Sequence, residues 1–299
     1  MVALLLLACS STPAVVDTGL QPSVCPSGSL EPGVVEVLAT GFDVDGTVGT
    51  EGLVFSPDGR LFVGGSGIGG GGYVAEIFLD GTWTRLVDVP QSIGLAWHDE
   101  RVLVATGDVG TGEGGLVSVD PDTLEVEEVA TGIPDANFPA PTPWGTILVS
   151  VPSGETVWEV ADGGVSVWAE GVPSPNGIAI TPDGSRVYVA NTYVTPSTVA
   201  SIPVTDGVAG PVGTLATLPD GSTQDGVALD AEGNLYVVNN LPGTLARITP
   251  SGDWDIVAEG IDFGASIAFG TGDWDPCSVY ATSLFGPDVF RVGVGARGL

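Results

Sequence analysis

The sequence predicts an all-β fold, a six-bladed β-propeller, and three observations lead to it. The 46 glycines and 23 prolines of the 299 residues are spread between valine-rich runs, a distribution typical of many short strands and turns. No stretch shows a sustained helical periodicity. A strand-turn-strand unit recurs along the chain with a spacing near that of a propeller blade.

The repeat is clearest in three segments: SPNGIAITPDGSRVYVANT (174–192), EGLVFSPDGRLFVGG (51–65) and QDGVALDAEGNLYVVNN (224–240). Six copies can be aligned, and their first residues are Glu51, Ile93, Asn137, Asn176, Asp225 and Ala265. The steps between them are 42, 44, 39, 49 and 40 residues. Two further strand-like runs follow in each copy, which gives the four strands of a blade. A β-sandwich, the alternative all-β fold, predicts no such period.

The last copy has only three strands, and the start of the chain supplies a fourth. The segment 33–42 resembles the outer strand at 253–261 of the preceding copy. We therefore expect residues 34–40 to pair with residues 288–294, so that an N-terminal strand completes the last blade. Closure of the ring removes exposed sheet edges. The propeller domain is predicted to span residues 33–299.

The N-terminus predicts export. An apolar run at residues 2–8 is too short to span a bilayer. It ends in Leu-Leu-Ala-Cys, which resembles the lipobox of bacterial lipoproteins, although no Lys or Arg precedes it. The prediction is a signal peptide at residues 1–8, a lipidated Cys9 and a tether over residues 9–32. The protein would then be extracytoplasmic and held at a membrane by its lipid anchor only.

Two cysteines, Cys25 and Cys277, remain besides Cys9. An even number of remaining cysteines in an exported protein suggests a disulfide between them. Cys25 precedes the strand donated to the last blade, and Cys277 precedes another strand of that blade. A bond between them would tie the ring shut where the two ends of the chain meet. The alternative is a pair of unpaired buried thiols.

The charge of the chain excludes some partners. Its formal net charge is −30, from 37 acidic and seven basic residues. Such a charge argues against nucleic acids and anionic lipid surfaces as partners and favours the attraction of cations.

The first residues of the six copies predict a metal site. The first strand of each propeller blade lines the central channel, so equivalent residues converge on one axis. Glu51, Asn137, Asn176 and Asp225 carry side-chain oxygens, which suit Ca²⁺ best. The only histidine is His98, which disfavours Zn²⁺. Alternatively, the Asn-Gly and Asp-Gly pairs are ordinary loop dipeptides and Glu51 is a surface residue.

These motifs resemble the SMP-30/gluconolactonase family of six-bladed propellers over about residues 33–299. The resemblance is most specific at Glu51-Gly52, Pro175-Asn176-Gly177 and Asp225-Gly226. It implies that Glu51, Asn176 and Asp225 bind one divalent cation, with Ca²⁺, Mn²⁺ and Zn²⁺ as the candidates, and that Asn137 contacts the metal or the substrate. Related calcium-dependent phosphotriesterases have a similar Glu/Asn/Asn/Asp quartet.

The resemblance implies a metal-dependent hydrolase of a lactone or related ester, with a small molecule as substrate. Because no histidine is available as a base, Asp225 is predicted as the catalytic base, and Asn137 is predicted as a second catalytic residue. Asp135 stands where the sugar lactonases have an arginine that holds the sugar acid, and Phe138 follows Asn137 in place of an aspartate. Sugar-lactone specificity is therefore not implied. The alternative is a non-catalytic extracytoplasmic propeller that binds a sugar, a peptide or a protein.

Overall fold

The computed structural model of the protein describes residues 24–42, 47–67, 71–107 and 112–299. The predicted signal peptide, Cys9 and residues 9–23 of the predicted tether lie outside these residues. The described chain contains 25 strands, β1–β25, and one short 3-10 helix at Pro152–Gly154. The predicted all-β fold is confirmed.

The strands form six antiparallel sheets arranged as the blades of a propeller. The first two blades consist of β2 (Thr47–Phe55), β3 (Leu61–Gly67), β4 (Gly72–Ile77) and β5 (Trp83–Val89), and of β6 (Leu95–His98), β7 (Arg101–Ala105), β8 (Gly115–Val119) and β9 (Val126–Thr131). The third consists of β10 (Pro139–Pro141), β11 (Ile147–Val151), β12 (Thr156–Ala161) and β13 (Gly164–Glu170).

The fourth blade has five strands, because the two-residue β17 pairs with β16 beside β18. Its strands are β14 (Pro175–Ile180), β15 (Arg186–Asn191), β16 (Thr198–Thr205), β17 (Val208–Ala209) and β18 (Gly213–Thr217). The fifth blade has β19 (Gln224–Leu229), β20 (Leu235–Asn239), β21 (Thr244–Ile248) and β22 (Trp254–Glu259). The sixth has β23 (Gly264–Phe269), β24 (Ser278–Ser283), β25 (Val289–Gly293) and, as its outer strand, β1 (Val35–Ala39).

The outer strand of the sixth blade closes the ring as predicted. β1 runs antiparallel to β25, with Val35 opposite Val292 and Val37 opposite Phe290. Gly33 N also donates a hydrogen bond of 2.9 Å to the Gly293 carbonyl. The first and the last of the described strands therefore lie in the same sheet, and the six blades form a closed circle.

The hydrophobic core is divided into six clusters, one between each pair of neighbouring blades. Alternate residues of a strand point to opposite faces of its sheet. In β20, Val237 packs toward the fourth blade, while Tyr236 and Val238 pack toward the sixth. Because both faces of each blade are covered, the inner strands are nearly continuous apolar runs rather than alternating ones.

The segment before β1 is fixed to the sixth blade. A disulfide joins Cys25 to Cys277, with their Cα atoms 5.7 Å apart. Ser29 Oγ and Leu30 N donate hydrogen bonds of 2.7 and 3.1 Å to the carboxylate of Asp275. The part of the predicted tether that the structure describes is thus packed on the propeller from Cys25 onward.

Asp275 is the polar centre of this attachment. Its carboxylate also accepts hydrogen bonds from Cys277 N, Ser278 Oγ and the guanidinium of Arg291, the last at 2.6 Å. Burial raises the pKa of Asp275, but the hydrogen bonds from Ser29, Arg291, Ser278 and Cys277 outweigh it and hold the pKa well below its usual range. The charged form of the side chain is therefore the one that holds the N-terminal segment.

Among the residues that the structure describes, no helix has the length and hydrophobicity that a membrane crossing requires.

Replacement of Asp275 by Asn should lower the free energy of unfolding by about 1–3 kcal/mol at pH 7, because charge-assisted hydrogen bonds are lost. A depressed pKa stabilises the fold above the pKa of the unfolded chain, about 3.9, and this stabilisation is lost as pH falls toward the folded value. The difference between wild type and Asp275→Asn should therefore shrink between about pH 5 and pH 3. Urea titrations at several pH values measure this difference in the free energy of unfolding.

Asp206→Asn, in the exposed turn between β16 and β17, is the matched control and should leave the free energy of unfolding unchanged. A difference that does not vary with pH would contradict the role of the charge.

Candidate functional site

The first residues of the six repeats form a ring at one end of the central channel, and we call these residues the ring residues: Glu51, Ile93, Asn137, Asn176, Asp225 and Ala265. Four of them lie in a β-bulge. Thr50 pairs with Gly65 and Leu53 with Val63, so Glu51 and Gly52 together oppose Gly64. The registers of β14, β19 and β23 shift in the same way. Bulges re-aim side chains and are frequent next to active sites.

The glycines after the ring residues allow neighbouring inner strands to approach closely. A Cβ atom on Gly177 would lie 2.4 Å from the carbonyl oxygen of Asp225, and one on Gly226 would lie 2.6 Å from that of Ala265. In the same way, Gly52 faces the carbonyl of Ile93, and Gly94 faces the carbonyl of Asn137. The pair Asn176-Gly177 is therefore not a turn. Its glycine is required because no side chain fits between two inner strands.

Hydrogen bonds fix the backbone at the ring residues and next to them. Gly94 N donates to the Asn137 carbonyl at 2.9 Å, and Asn137 N donates to the Ser150 carbonyl at 3.0 Å. Where the sixth blade meets the first, Thr282 Oγ1 donates to the Glu51 carbonyl at 2.5 Å. Ser266 N donates in turn to Thr282 Oγ1 at 2.9 Å.

Two ring carboxylates, those of Glu51 and Asp225, lie close enough to repel each other. Burial raises the pKa of Asp225 well above its usual range and the charge of Glu51 raises it further, while a hydrogen bond from Asn176 lowers it. Burial also raises the pKa of Glu51 to about 7, with a further contribution from the charge of Asp135. A nearby cation would favour the charged forms of both carboxylates and lower their pKa values.

The donor set at the ring fits a hard divalent cation. Carboxylate and amide oxygens are the ligands that such ions accept, and Asp225 interacts with both Glu51 and Asn176. The backbone of Asn137 is hydrogen-bonded to Gly94 and to Ser150, and the residue is half-buried. Within the described ranges, no three His, Cys, Asp or Glu side chains are grouped so that they could hold a metal ion. A cation at the ring would therefore need asparagine oxygens besides the two carboxylates.

Two residues near this pair were not predicted as part of the site. Asp135 was noted only as a departure from the sugar lactonases. It is buried, and its Oδ2 accepts a hydrogen bond of 3.2 Å from Ser153 N. Tyr193 follows the strand β15, and burial and the charges of Asp225 and Glu51 raise the pKa of its phenol. An aromatic residue in a Thr-, Val- and Pro-containing loop is the only sequence signal for Tyr193, and it is a weak one.

The geometry defines the class of protein as a closed six-bladed propeller with an acidic ring at one end of its axis. The family model of the SMP-30/gluconolactonase/LRE-like region matches residues 70–283. The chain therefore belongs to the SMP-30/gluconolactonase/LRE-like family, as its motifs predicted. No curated protein sequence matches the chain.

Solved structures of this fold resemble the chain at low sequence identity. A gluconolactonase from Xanthomonas campestris has a TM-score of 0.69 at 17% identity, with 92% of this chain and 99% of that one covered. A calcium-binding protein, regucalcin, from Agrobacterium tumefaciens has a TM-score of 0.67 at 20% identity, with 88% and 96% covered. A luciferin-regenerating enzyme has a TM-score of 0.69 at 17% identity, with 90% and 98% covered.

Replacement of Gly177 by Ala should destabilise the propeller by about 2 kcal/mol or more, because the added methyl group overlaps the Asp225 carbonyl. Gly164→Ala is the matched control: a Cβ atom there meets nothing closer than 3.6 Å, and its effect should stay within about 0.5 kcal/mol. Chemical denaturation measures both variants. Equal stabilities would show that the inner strands are not packed as closely as described.

Proposed function

We propose that the protein is a metal-dependent hydrolase that acts on a lactone or a related ester. The observation that carries the proposal is the placement of Glu51, Asn176 and Asp225 in equivalent β-bulges at one end of the channel, where the charge of Glu51 acts on Asp225. Membership of a family named for gluconolactonase supports the type of reaction. The calcium-binding regucalcin of the same fold supports a divalent cation, with Ca²⁺ the first candidate and Mn²⁺ and Zn²⁺ the others.

In this proposal Glu51, Asn137, Asn176 and Asp225 hold the cation. When bound, the cation supplies Lewis acidity toward a carbonyl oxygen of the substrate. Glu51 balances charge, and Asn176 orients Asp225 through their hydrogen bond. We assign Asp225 as the base that takes a proton from the attacking water, because the only histidine, His98, lies at the far end of the strand β6. Asn137 holds the cation or the substrate.

We also infer export to an oxidising compartment. The disulfide between Cys25 and Cys277 supports it, because such bonds persist outside the cytosol. A lipid on Cys9 would anchor the protein at the membrane. Mass spectrometry of the native protein should then find residues 1–8 removed, whereas an intact Met1 on membrane-free protein would contradict the proposal.

Metal binding should depend on pH. A carboxylate must be deprotonated to bind a cation, and the pKa of Glu51 in the metal-free protein is about 7. Ca²⁺ affinity measured by calorimetry should therefore rise about tenfold or more from pH 6 to pH 8, with proton release at pH 6. A raised carboxylate pKa stabilises the metal-free fold at low pH, and this stabilisation is lost as pH rises through about 7. An affinity that is constant from pH 6 to pH 8 would contradict the assignment of these ligands.

Hydrolysis should require Asp225 as a base. A screen of lactones, aryl esters and phosphotriesters with Ca²⁺, Mn²⁺ or Zn²⁺ identifies the best substrate and ion. Asp225→Asn should keep part of the metal affinity but lose about 100-fold or more in kcat, because an amide can ligate but cannot accept the proton. Asp206→Asn serves as the matched control and should retain wild-type kcat.

Two results of this screen would overturn the proposal. If Asp225→Asn turned over the best substrate as fast as wild type, the carboxylate would have no catalytic role. If no substrate were hydrolysed with any of the three ions, the protein would be a non-catalytic binding propeller.

A further inference from the structure

Large apolar side chains are exposed on three consecutive blades at the end of the propeller that carries the ring residues. Because strands alternate in direction within a blade, this end holds the connections from second to third strands and those from one blade to the next. In these connections, the exposed large apolar residues of the described chain are Tyr193, Leu241, Phe263 and Phe285. Contacts tie the last three together, and we call Leu241, Phe263 and Phe285 the apolar rim.

The two phenylalanines of the apolar rim pack against each other. Their ring centroids are 5.6 Å apart at an interplanar angle of 84°, an edge-to-face contact. Leu284 N donates a hydrogen bond of 2.9 Å to the Phe263 carbonyl, and Ser283 Oγ donates one of 2.7 Å to the Asp262 carbonyl. These contacts join the connection between β22 and β23 to that between β24 and β25. They leave 40% of Phe263 and 53% of Phe285 exposed.

Leu241 is attached to the same surface through hydrogen bonds of its own connection. Asn240 Nδ2 donates a hydrogen bond of 3.1 Å to the Phe263 carbonyl. Leu241 N donates one of 2.8 Å to Thr223 Oγ1, two residues before Asp225. The connection between β20 and β21 is thereby held against the starts of β19 and β23, although Leu241 itself is 61% exposed.

The apolar rim also borders the backbone that leads to Glu51. A Cβ atom on Gly49 would lie 2.6 Å from the carbonyl oxygen of Leu284 and 2.8 Å from that of Gly286. The segment 284–286, which carries Phe285, therefore lies directly on the strand β2 two residues before Glu51. The rim is in this way continuous with the ring on the side of the fifth, sixth and first blades.

Neither packing nor backbone conformation favours a phenylalanine at position 263. Its φ is 54°, in the left-handed region, which is rare for bulky side chains and costs free energy, whereas glycine adopts it readily. The side chain is not buried in the core either. Residues in such conformations cluster at functional sites, and an exposed apolar surface beside convergent polar groups is typical of a ligand site.

No arginine or lysine stands in the connections at this end of the propeller. The chain contains no lysine, and all seven arginines are among the described residues. Four lie at the opposite end, in hairpins between first and second strands or after β25: Arg60, Arg101, Arg186 and Arg297. Three lie within strands that are not inner strands: Arg85, Arg247 and Arg291. A substrate with a carboxylate or phosphate would find no basic partner here, and the ring carboxylates would repel it.

We propose that the apolar rim binds an uncharged alkyl chain of the substrate, so that the preferred substrates are lactones or esters with a chain of several carbons. Removal of methylene groups from water, against two aromatic rings and a leucine, supplies binding free energy that a hydrophilic sugar does not gain. Lactones of sugar acids are then poor substrates. The turnover part of this inference rests on the proposed function, whereas the binding of the chain does not.

A pair of γ-lactones tests the inference through turnover. γ-Valerolactone carries a methyl group at the carbon where γ-decanolactone carries a hexyl chain. Each of the five additional methylene groups is partly buried on the rim and should raise kcat/KM about twofold, which gives a ratio of about 30 between the two lactones. Phe263→Ser and Phe285→Ser should each lower this ratio about threefold, whereas Phe263→Leu should keep most of it. Because both lactones are measured on the same enzyme, a loss of folded protein cancels in the ratio.

Phe78→Ser is the matched control. Phe78 is 44% exposed, close to the values for Phe263 and Phe285, but it lies in the hairpin between β4 and β5 at the opposite end of the propeller. This variant should leave the ratio unchanged. Equal kcat/KM values for the two lactones in wild type would overturn the inference and leave the proposed function standing. A chain-length preference that neither rim variant lowers, or that Phe78→Ser lowers equally, would also overturn it.

Calorimetric binding of a lactam separates the inference from the proposed function. The probe is 5-hexyl-2-pyrrolidinone, the nitrogen analogue of γ-decanolactone, which resists hydrolysis. If no lactone is hydrolysed but wild type binds this lactam more tightly than Phe263→Ser and Phe285→Ser do, the inference stands and the hydrolase proposal fails. If wild type and both variants bind the lactam equally weakly and no lactone is hydrolysed, both fail.

Discussion

The close approach of six inner strands around one axis is the constraint on which the rest of the structure depends. The strands approach so closely that Gly177 and Gly226 have no room for a Cβ atom. Four of these strands also carry a β-bulge at their start, which re-aims the side chains of the ring residues there. The side chains of the ring residues are thereby brought together, including two carboxylates that would otherwise stay apart.

The charge distribution of the chain fits this arrangement. Arginines pair with carboxylates within the blades: Arg60 binds Glu76 at 2.8 Å, and Arg291 binds Asp275 at 2.6 Å. None is positioned to neutralise the ring, so the charge of Glu51 and Asp225 must be balanced by protons or by a cation from solution. Burial raises the pKa values of these two residues, and the charges of neighbouring carboxylates raise them further. A negatively charged site of this kind attracts cations.

The fold could be predicted from the sequence because the propeller repeats one local pattern. Turn dipeptides, β-branched runs and a period near 40 residues identify each blade independently, and agreement among six copies identifies the ring residues. The strand that closes the ring was also predictable, because residues 33–42 keep the pattern of an outer strand. The pairing of Cys25 with Cys277 followed from that closure.

Other features depend on contacts between distant parts of the chain and could not be predicted. The bulges have no signature of their own, since Asn-Gly and Asp-Gly are as frequent in turns. The approach of Asp135 to Glu51 and the position of Tyr193 depend on connections between blades, which do not repeat. The anchoring of Ser29 and Leu30 by Asp275 joins residues about 245 positions apart, and composition alone suggested a free tether there.

The central claim is that Glu51 and Asp225 form the two charged sides of a cation site on the propeller axis. Anomalous diffraction from crystals grown with Mn²⁺ at about pH 8, where the Glu51 carboxylate is ionised, tests it most directly. The account predicts one strong anomalous peak on the axis, within coordination distance of an oxygen of each carboxylate and of Asn176. A map with no peak at the ring, and with the two carboxyl groups turned toward protein hydrogen-bond partners instead, would contradict it.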